Sequence, residues 1–292
     1  METFLFLAGF CLRFLSERPL NIDPVLTNFI ISPPVEADIT VRVTWDWEHA
    51  ALPASDMIGQ DAILNYYDEG EVRYCITQGG PKGPLACTSY SPDFRRIICS
   101  INEKPFRIPL KSLGSVLRML PMREIFLHFG ALFLHASQVA YRGRGVLFTA
   151  PSGTGKTTQA KLWQRYRGAE IICNDRTLIR KADGAWHTYG YPMDGSEPVR
   201  SSDVNTLGAV VLLEQGKVNE VRPLRPGKAA SLLMGQTVID GWSTEARTAA
   251  MELLLALLSD VPVYRLTCTP DEQAVEVLEE VLMEEGVIPP EE

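Results

Sequence analysis

Residues 150–158 read Ala150-Pro151-Ser152-Gly153-Thr154-Gly155-Lys156-Thr157-Thr158. The first eight follow the Walker A pattern except at the opening position, where Ala150 stands in place of glycine. In that chemistry Gly153 and Gly155 let successive backbone N–H groups turn inward and hold phosphate oxygens, which larger residues would obstruct. Lys156 would bring a point charge to the outer phosphates, and Thr157, opening a helix, would offer its hydroxyl to Mg²⁺. Ser152, Gly153, Thr154, Gly155, Lys156, Thr157 and Thr158 are therefore the expected nucleotide contacts. The implied ligand is ATP or GTP with Mg²⁺. A chance glycine-rich turn is the bland alternative. Against it stand the apolar run before the loop and the helical run after it. The missing first glycine falls at a strand end.

Phosphate-loop chemistry also needs a carboxylate at the tip of a neighbouring strand to position Mg²⁺. Asp175, after Ile171-Ile172-Cys173-Asn174, is placed to supply it; capping a turn with Arg176 is the structural alternative. His135 lies on the strand before the loop. Its imidazole could accept a proton from an attacking hydroxyl or hold the terminal phosphate. Taken alone, it reads as a hydrogen-bonded core histidine.

Lesser candidates follow. Asp194 could approach substrate or metal but reads first as a turn residue before glycine. Arg200 could complement developing charge, and Glu214, ending an apolar strand, could support a metal from behind. Arg222, Arg225 and Lys228 form a basic cluster that reads as a solvated face. Trp45 and Trp47 are expected on one strand face, in the core.

The elements that must position these groups change character along the chain. Residues 1–110 alternate with period two, as in Val41 to Trp47 and more loosely Ile97 to Ile108, between proline and glycine clusters. This predicts a β-rich N-terminal domain. From Leu113 to Phe129 the spacing is helical, interrupted by Pro121. Leu132–Tyr141 reads as one strand, Arg142-Gly143-Arg144-Gly145 as a turn, and Val146–Thr149 as a second strand running into the loop. Thr157–Arg167 suits a helix closed by Gly168. Glu170–Cys173 and Leu207–Glu214 suit strands, Thr244–Leu258 a helix, Val263–Cys268 a strand, and Pro270 opens a last helix.

With 28 basic against 36 acidic residues, the net charge of −8 gives no general footprint for nucleic acid or anionic membrane. Six scattered cysteines lack metal-ligand spacing and read as buried free thiols in a reducing compartment. The apolar opening, Met1 to Arg13, has Glu2 where an export signal carries a base and is too short to span a bilayer. It reads as a buried strand, and the protein as cytoplasmic.

The segment from His135 through Asp175 resembles the catalytic domain of the HPr serine kinase/phosphorylase family, itself similar to nucleotide-dependent phosphoenolpyruvate carboxykinases. His135 stands 21 residues before Lys156, in agreement with that family's spacing, and Asn174-Asp175 occupies the place of its paired aspartates. The likeness extends more loosely through Gly190–Gly195, Leu207–Glu214 and Tyr264–Pro270. These segments look like a kinase-related subgroup found beside peptide-modification genes. Residues 1–110 do not look like the HPr kinase regulatory domain.

The resemblance implies an α/β fold: a P-loop kinase-like domain with a mixed sheet over 111–292, preceded by the β-rich domain over 1–110. It implies a Mg²⁺-dependent phosphotransferase acting on a serine-type hydroxyl of a peptide or protein, with homo-oligomers common among relatives. His135, Lys156, Asn174 and Asp175 would be the catalytic residues, and Thr157 and Asp175 the metal ligands. Asn174 departs from the family's aspartate. Its amide is no general base, so His135 or Asp175 would take the proton, or catalysis would rest mainly on positioning and charge stabilisation. A nucleotide-binding module without catalysis and a small-molecule kinase or carboxykinase-like enzyme are the alternatives.

Overall fold

The computed structural model describes residues 1–33, 35–104, 110–193 and 202–290. The chain divides into two compact units, Met1–Phe129 with Asp240–Ala246, and Gly130–Ile239 with Arg247–Glu292. Each has a large mixed sheet, so the protein is α/β. Among the described residues no helix is long and apolar enough to cross a membrane.

The first unit opens with a hairpin of β1 (Glu2–Leu7) and β2 (Phe10–Ser16), so the expected single strand is two. Its turn residues Ala8 and Gly9 have φ of 50° and 80°, the left-handed pair that a tight hairpin needs. Then come β3 (Ile30–Ile31), β4 (Ile39–Thr44), β5 (Met57–Gln60), β6 (Leu64–Asp68), β7 (Arg73–Thr77), β8 (Ala86–Tyr90) and β9 (Arg96–Ile101). They form one sheet in the order β3-β1-β2-β4-β9-β8-β7-β6-β5. In β4 the period-two reading holds, with Ile39, Val41 and Val43 buried and Arg42 exposed. The strand stops at Thr44, however, so Trp45 and Trp47 lie beyond it and are half-buried. Trp45 instead donates its indole N–H to Leu110 O at 3.3 Å, with the Arg18 guanidinium 4.9 Å from its ring centre.

Pro121 separates two short helices, α1 (Leu113–Arg118) and α2 (Met122–His128). Ser112 caps the first by accepting the Ser115 amide at 3.1 Å. The hydrophobic period changes near Ser112, and both helices group with the first sheet. Thr88 Oγ1 donates to Met119 O at 2.8 Å, and Tyr90 OH to Glu124 at 3.0 Å. The rings of Phe10 and Phe126 pack at 6.1 Å.

The second unit runs β10 (Ala131–Leu134), β11 (Ala136–Tyr141), β12 (Arg144–Thr149), α3 (Lys156–Arg167), β13 (Glu170–Cys173), β14 (Thr177–Ala182), β15 (Ala185–Gly190), β16 (Val204–Gln215), β17 (Glu220–Pro223), α4 (Pro226–Met234), α5 (Thr244–Asp260, from Arg247 onward), β18 (Val263–Cys268) and α6 (Glu272–Glu284). The sheet order is β10-β14-β15-β16-β12-β11-β13, with β18 beside β16 and β17 beside β18. The strand expected over 132–141 is broken at His135. β10 pairs with β14, whereas β11 pairs with β12 and β13. Its apolar continuity concealed the break, because both halves are buried.

Strands β12, β16 and β18 are mutually parallel. Their residues Phe148, Val211 and Leu266 meet Trp163 of α3 and Leu278 of α6 in one buried cluster. Trp163 is fully buried, with its ring edge-on to Tyr141 at 5.3 Å. All six cysteines are free thiols, five of them buried.

Trp163 therefore anchors the helix that follows the glycine-rich loop. Trp163→Ala should cost ~3–5 kcal/mol in denaturant unfolding. Its buried Nε1 has no hydrogen-bond partner. Trp163→Phe should thus cost much less than the alanine change. Equal losses would contradict this packing.

Candidate functional site

The site grows from the end of β12, where Thr149 lies beside Leu212 of parallel β16. In parallel sheets ligands bind beyond the carboxyl ends of the strands, and residues 150–155 occupy that position. Gly153 and Gly155 have φ of +79° and +118°, which L-residues rarely adopt. A Cβ at either would touch nothing within 4 Å, so the backbone, not crowding, requires glycine. Ala150 is fully buried and has no positive φ, which is why the pattern's first glycine is dispensable.

Thr154 ties the turn together, its amide and hydroxyl both donating to Pro151 O at 3.3 and 2.9 Å. The first α3 hydrogen bond runs from Gln159 N to Gly155 O at 2.9 Å. Among the described residues, the amides of Gly155, Lys156, Thr157 and Thr158 donate to no protein acceptor. These are the orphan donors of a helix N-terminus, where the helix dipole also favours an anion. Ser152, Gly153 and Thr158 are exposed beside them.

Lys156 is 7% exposed and gives two of its three donors to Ala150 O at 2.8 Å and Pro151 O at 3.4 Å. Burial lowers its pKa, and the charge of Asp175 opposes that shift. His135 sits at the β10–β11 break, its amide donating to Gln236 O and its carbonyl accepting Thr149 Oγ1, both at 2.9 Å. Asp175 follows β13. His135 Nε2 and Asp175 Oδ1 are 3.2 Å apart, with side chains 27% and 34% exposed.

Burial lowers the His135 pKa, helped by Lys156 and Arg176 and opposed by Asp175. The shift favours the neutral ring. A carboxylate only accepts, so Nε2 carries the proton and Nδ1 the lone pair. Asn174 contributes its backbone: its carbonyl accepts from Ser137 Oγ at 2.7 Å and Thr157 Oγ1 at 3.5 Å. That bond brings the Thr157 hydroxyl to the turn carrying Asp175. Mg²⁺ takes one or two protein ligands and completes its shell with water and phosphate, a set that Thr157 and Asp175 could supply. No group of three or more His, Cys, Asp or Glu side chains suited to a metal occurs among the described residues.

Other expected residues fall elsewhere. Glu214 is exposed and faces Arg265 at 3.4 Å rather than Thr157 or Asp175. Arg222 pairs with Glu220 at 2.6 Å, Arg225 precedes α4, and Lys228 is exposed on that helix. Asp194 and Arg200 lie outside the described residues. Ser137, Thr149 and Gln236 were missed, as was Gln215, whose Nε2 reaches Gly153 O at 3.5 Å and Thr154 O at 3.4 Å. Only Gln215 had a signal, standing next to Glu214 at the end of an apolar strand.

A family model described as SynChlorMet cassette protein ScmC matches residues 97–283, more than half of the chain. The chain belongs to the ScmC family. Comparison with curated protein sequences finds no match. Among solved structures, the Hpr(Ser) kinase/phosphatase from Coxiella burnetii aligns with 53% of this chain and 98% of its own. The identity is 10% and the TM-score 0.33, too loose a likeness to carry an argument.

The electrostatics of the histidine can be read directly. In an NMR titration His135 should titrate below the ordinary histidine value of about 6.5. Lys156→Ala removes a depressing charge, so the value should rise. A downward shift in that variant would refute the coupling.

Proposed function

For this member of the ScmC family, we propose that loop 150–157 is a P-loop that binds ATP or GTP with Mg²⁺, and that the second unit transfers the terminal phosphoryl group to a serine-type hydroxyl of a peptide or protein. The observation that carries the reading is the run of unpartnered amides from Gly155 to Thr158, set behind two left-handed glycines, with the His135–Asp175 pair within the electrostatic reach of Lys156. Four amides and a helix N-terminus suit a multiply charged anion. A proton-accepting imidazole has no use in mere anion storage, but it does in attack by a hydroxyl.

In the reaction the acceptor oxygen forms a bond to the terminal phosphorus as the bond to the bridging oxygen breaks, and the nucleoside diphosphate leaves. His135 Nδ1 takes the hydroxyl proton, and Asp175 stabilises the resulting imidazolium across Nε2. Lys156 and the loop amides hold the charge that spreads over the transferring group. Mg²⁺, held by Thr157 and Asp175, would neutralise phosphate charge. The sequence resemblance to the HPr serine kinase/phosphorylase family supports the same class of reaction.

One feature favours a second reading, a nucleotide-binding regulatory module. Asn174 holds the loop through its carbonyl and brings no ionisable side chain.

Nucleotide binding and turnover with Mg²⁺ test the proposal. Lys156→Ala should weaken binding by roughly ten- to a hundredfold, the worth of a charge-assisted hydrogen bond, and abolish turnover. An intact protein that binds neither ATP nor GTP would sink it. Asn174→Asp separates the two readings: greater transfer marks a weakened catalyst, while binding that stays silent in both proteins favours the module.

A further inference from the structure

We infer that Gln215 is a positioning residue for the glycine-rich loop, holding its apex in the anion-accepting conformation from the end of β16. The inference rests on the nucleotide-binding reading above for its purpose, though not for its geometry.

Gln215 is fixed from behind. It is the last residue of β16, in register with Cys268 of β18. The next amide, Gly216 N, donates to Cys268 O at 3.0 Å. Gly216 cannot be replaced without a shift, since a Cβ there would come within 2.4 Å of Thr267 Cγ2. The backbone at 215–216 is thus pinned to β18, and only the side chain of Gln215 extends to the loop. Its Nε2 faces two consecutive carbonyls, Gly153 O and Thr154 O.

A trans peptide points its carbonyl and the following N–H in opposite directions. Holding Gly153 O therefore turns the Thr154 amide away from β16, where it finds Pro151 O at 3.3 Å. Holding Thr154 O likewise turns away the Gly155 amide, the first of the four without a protein acceptor. One side-chain amide thus sets two peptide planes in a segment whose glycines would otherwise sample both signs of φ. Neither bond is short, and their joint effect is on loop order rather than on fold stability. Gln215 touches none of His135, Lys156 or Asp175 in this arrangement, so the chemistry is left to them.

Gln215→Ala and Gln215→Glu test the role in the full chain, read by amide hydrogen exchange and by ATP or GTP affinity with Mg²⁺. In Gln215→Ala, the Thr154 amide, which donates to Pro151 O, should exchange faster without nucleotide. Nucleotide affinity should fall roughly three- to tenfold, as for one or two modest hydrogen bonds. Gln215→Glu sets a carboxylate against two carbonyls and should bind more weakly still at pH 7. Its affinity should recover relative to the alanine variant as pH falls towards the carboxyl pKa of about 4.3 and an O–H donor returns. Both variants should melt with the parent protein. Unchanged exchange at Thr154 in Gln215→Ala overturns the inference whether or not nucleotide binds. Faster exchange with no nucleotide binding by the parent protein would uphold the anchor and overturn the nucleotide reading alone.

Discussion

The parallel register of β12 against β16, with Thr149 beside Leu212, is the constraint on which the rest of the site depends. It sets the level at which the chain leaves the sheet, and every other site element is referred to that level. Thr149 spends its hydroxyl on the carbonyl of His135, so the break between β10 and β11 is held at the loop's own height. Three residues beyond Leu212, β16 delivers Gln215 to the loop apex. β18 runs in register beside it and pins the turn that follows. A slip of one residue along β12 would exchange the faces of Leu147 and Phe148, both fully buried, and take Phe148 out of its packed cluster. The apolar cluster around Phe148, Val211 and Trp163 opposes that slip. Packing on one side of the sheet thus fixes the chemistry at its end.

The second organising element is the meeting of two chain breaks. His135 separates strands that lie at different places in the sheet, and Asn174–Asp175 separates β13 from β14 in the same way. The breaks are sewn together by Thr177 Oγ1 to Ala136 O at 3.3 Å and Ser137 Oγ to Asn174 O. A histidine and an aspartate 40 residues apart are therefore neighbours by topology. Their charges then act on each other and on Lys156. Burial pushes both the imidazole and the ammonium towards their neutral forms, and the carboxylate restrains both. An added anion would act as the carboxylate does, favouring the charged ammonium and making the imidazole a stronger proton acceptor.

The parts legible in the sequence are those where one local signal decides. Gly153, Gly155 and Lys156 stand in a pattern whose backbone demands are local, and α3 ends at Gly168, with its φ of 63°, as expected. The long apolar β16 and the amphipathic α6 were equally plain. Illegible were features set by distant partners. The break at His135 lies within an unbroken apolar run and is dictated by β14 on one side and β12 on the other. The hairpin of β14 and β15 turns on Asp183-Gly184, a local signal that was there to be read. α4 begins at Pro226 among residues read only as a basic cluster. Gln215 stands next to Glu214 at the end of an apolar strand, but its reach to the loop depends on strand order, which no local pattern shows.

Asn174 shows how a chain can change its chemistry without disturbing its architecture. The neighbours that depend on this residue, Ser137 and Thr157, bond to its carbonyl oxygen, which every amino acid supplies. Asparagine and aspartate are nearly the same size, and these two carbonyl bonds do not require either side chain. Proton affinity is not indifferent: an amide oxygen is a far poorer base than a carboxylate. Under the proposed phosphotransfer, the burden of accepting a proton would pass to the pair that remains. That pair is already arranged for it, since the carboxylate that would stabilise an imidazolium lies 3.2 Å from Nε2. A single carboxylate beside a histidine is the smallest set that can take a proton from a hydroxyl and hold the charge that results. The scaffold around position 174 is thus compatible with turnover despite the amide.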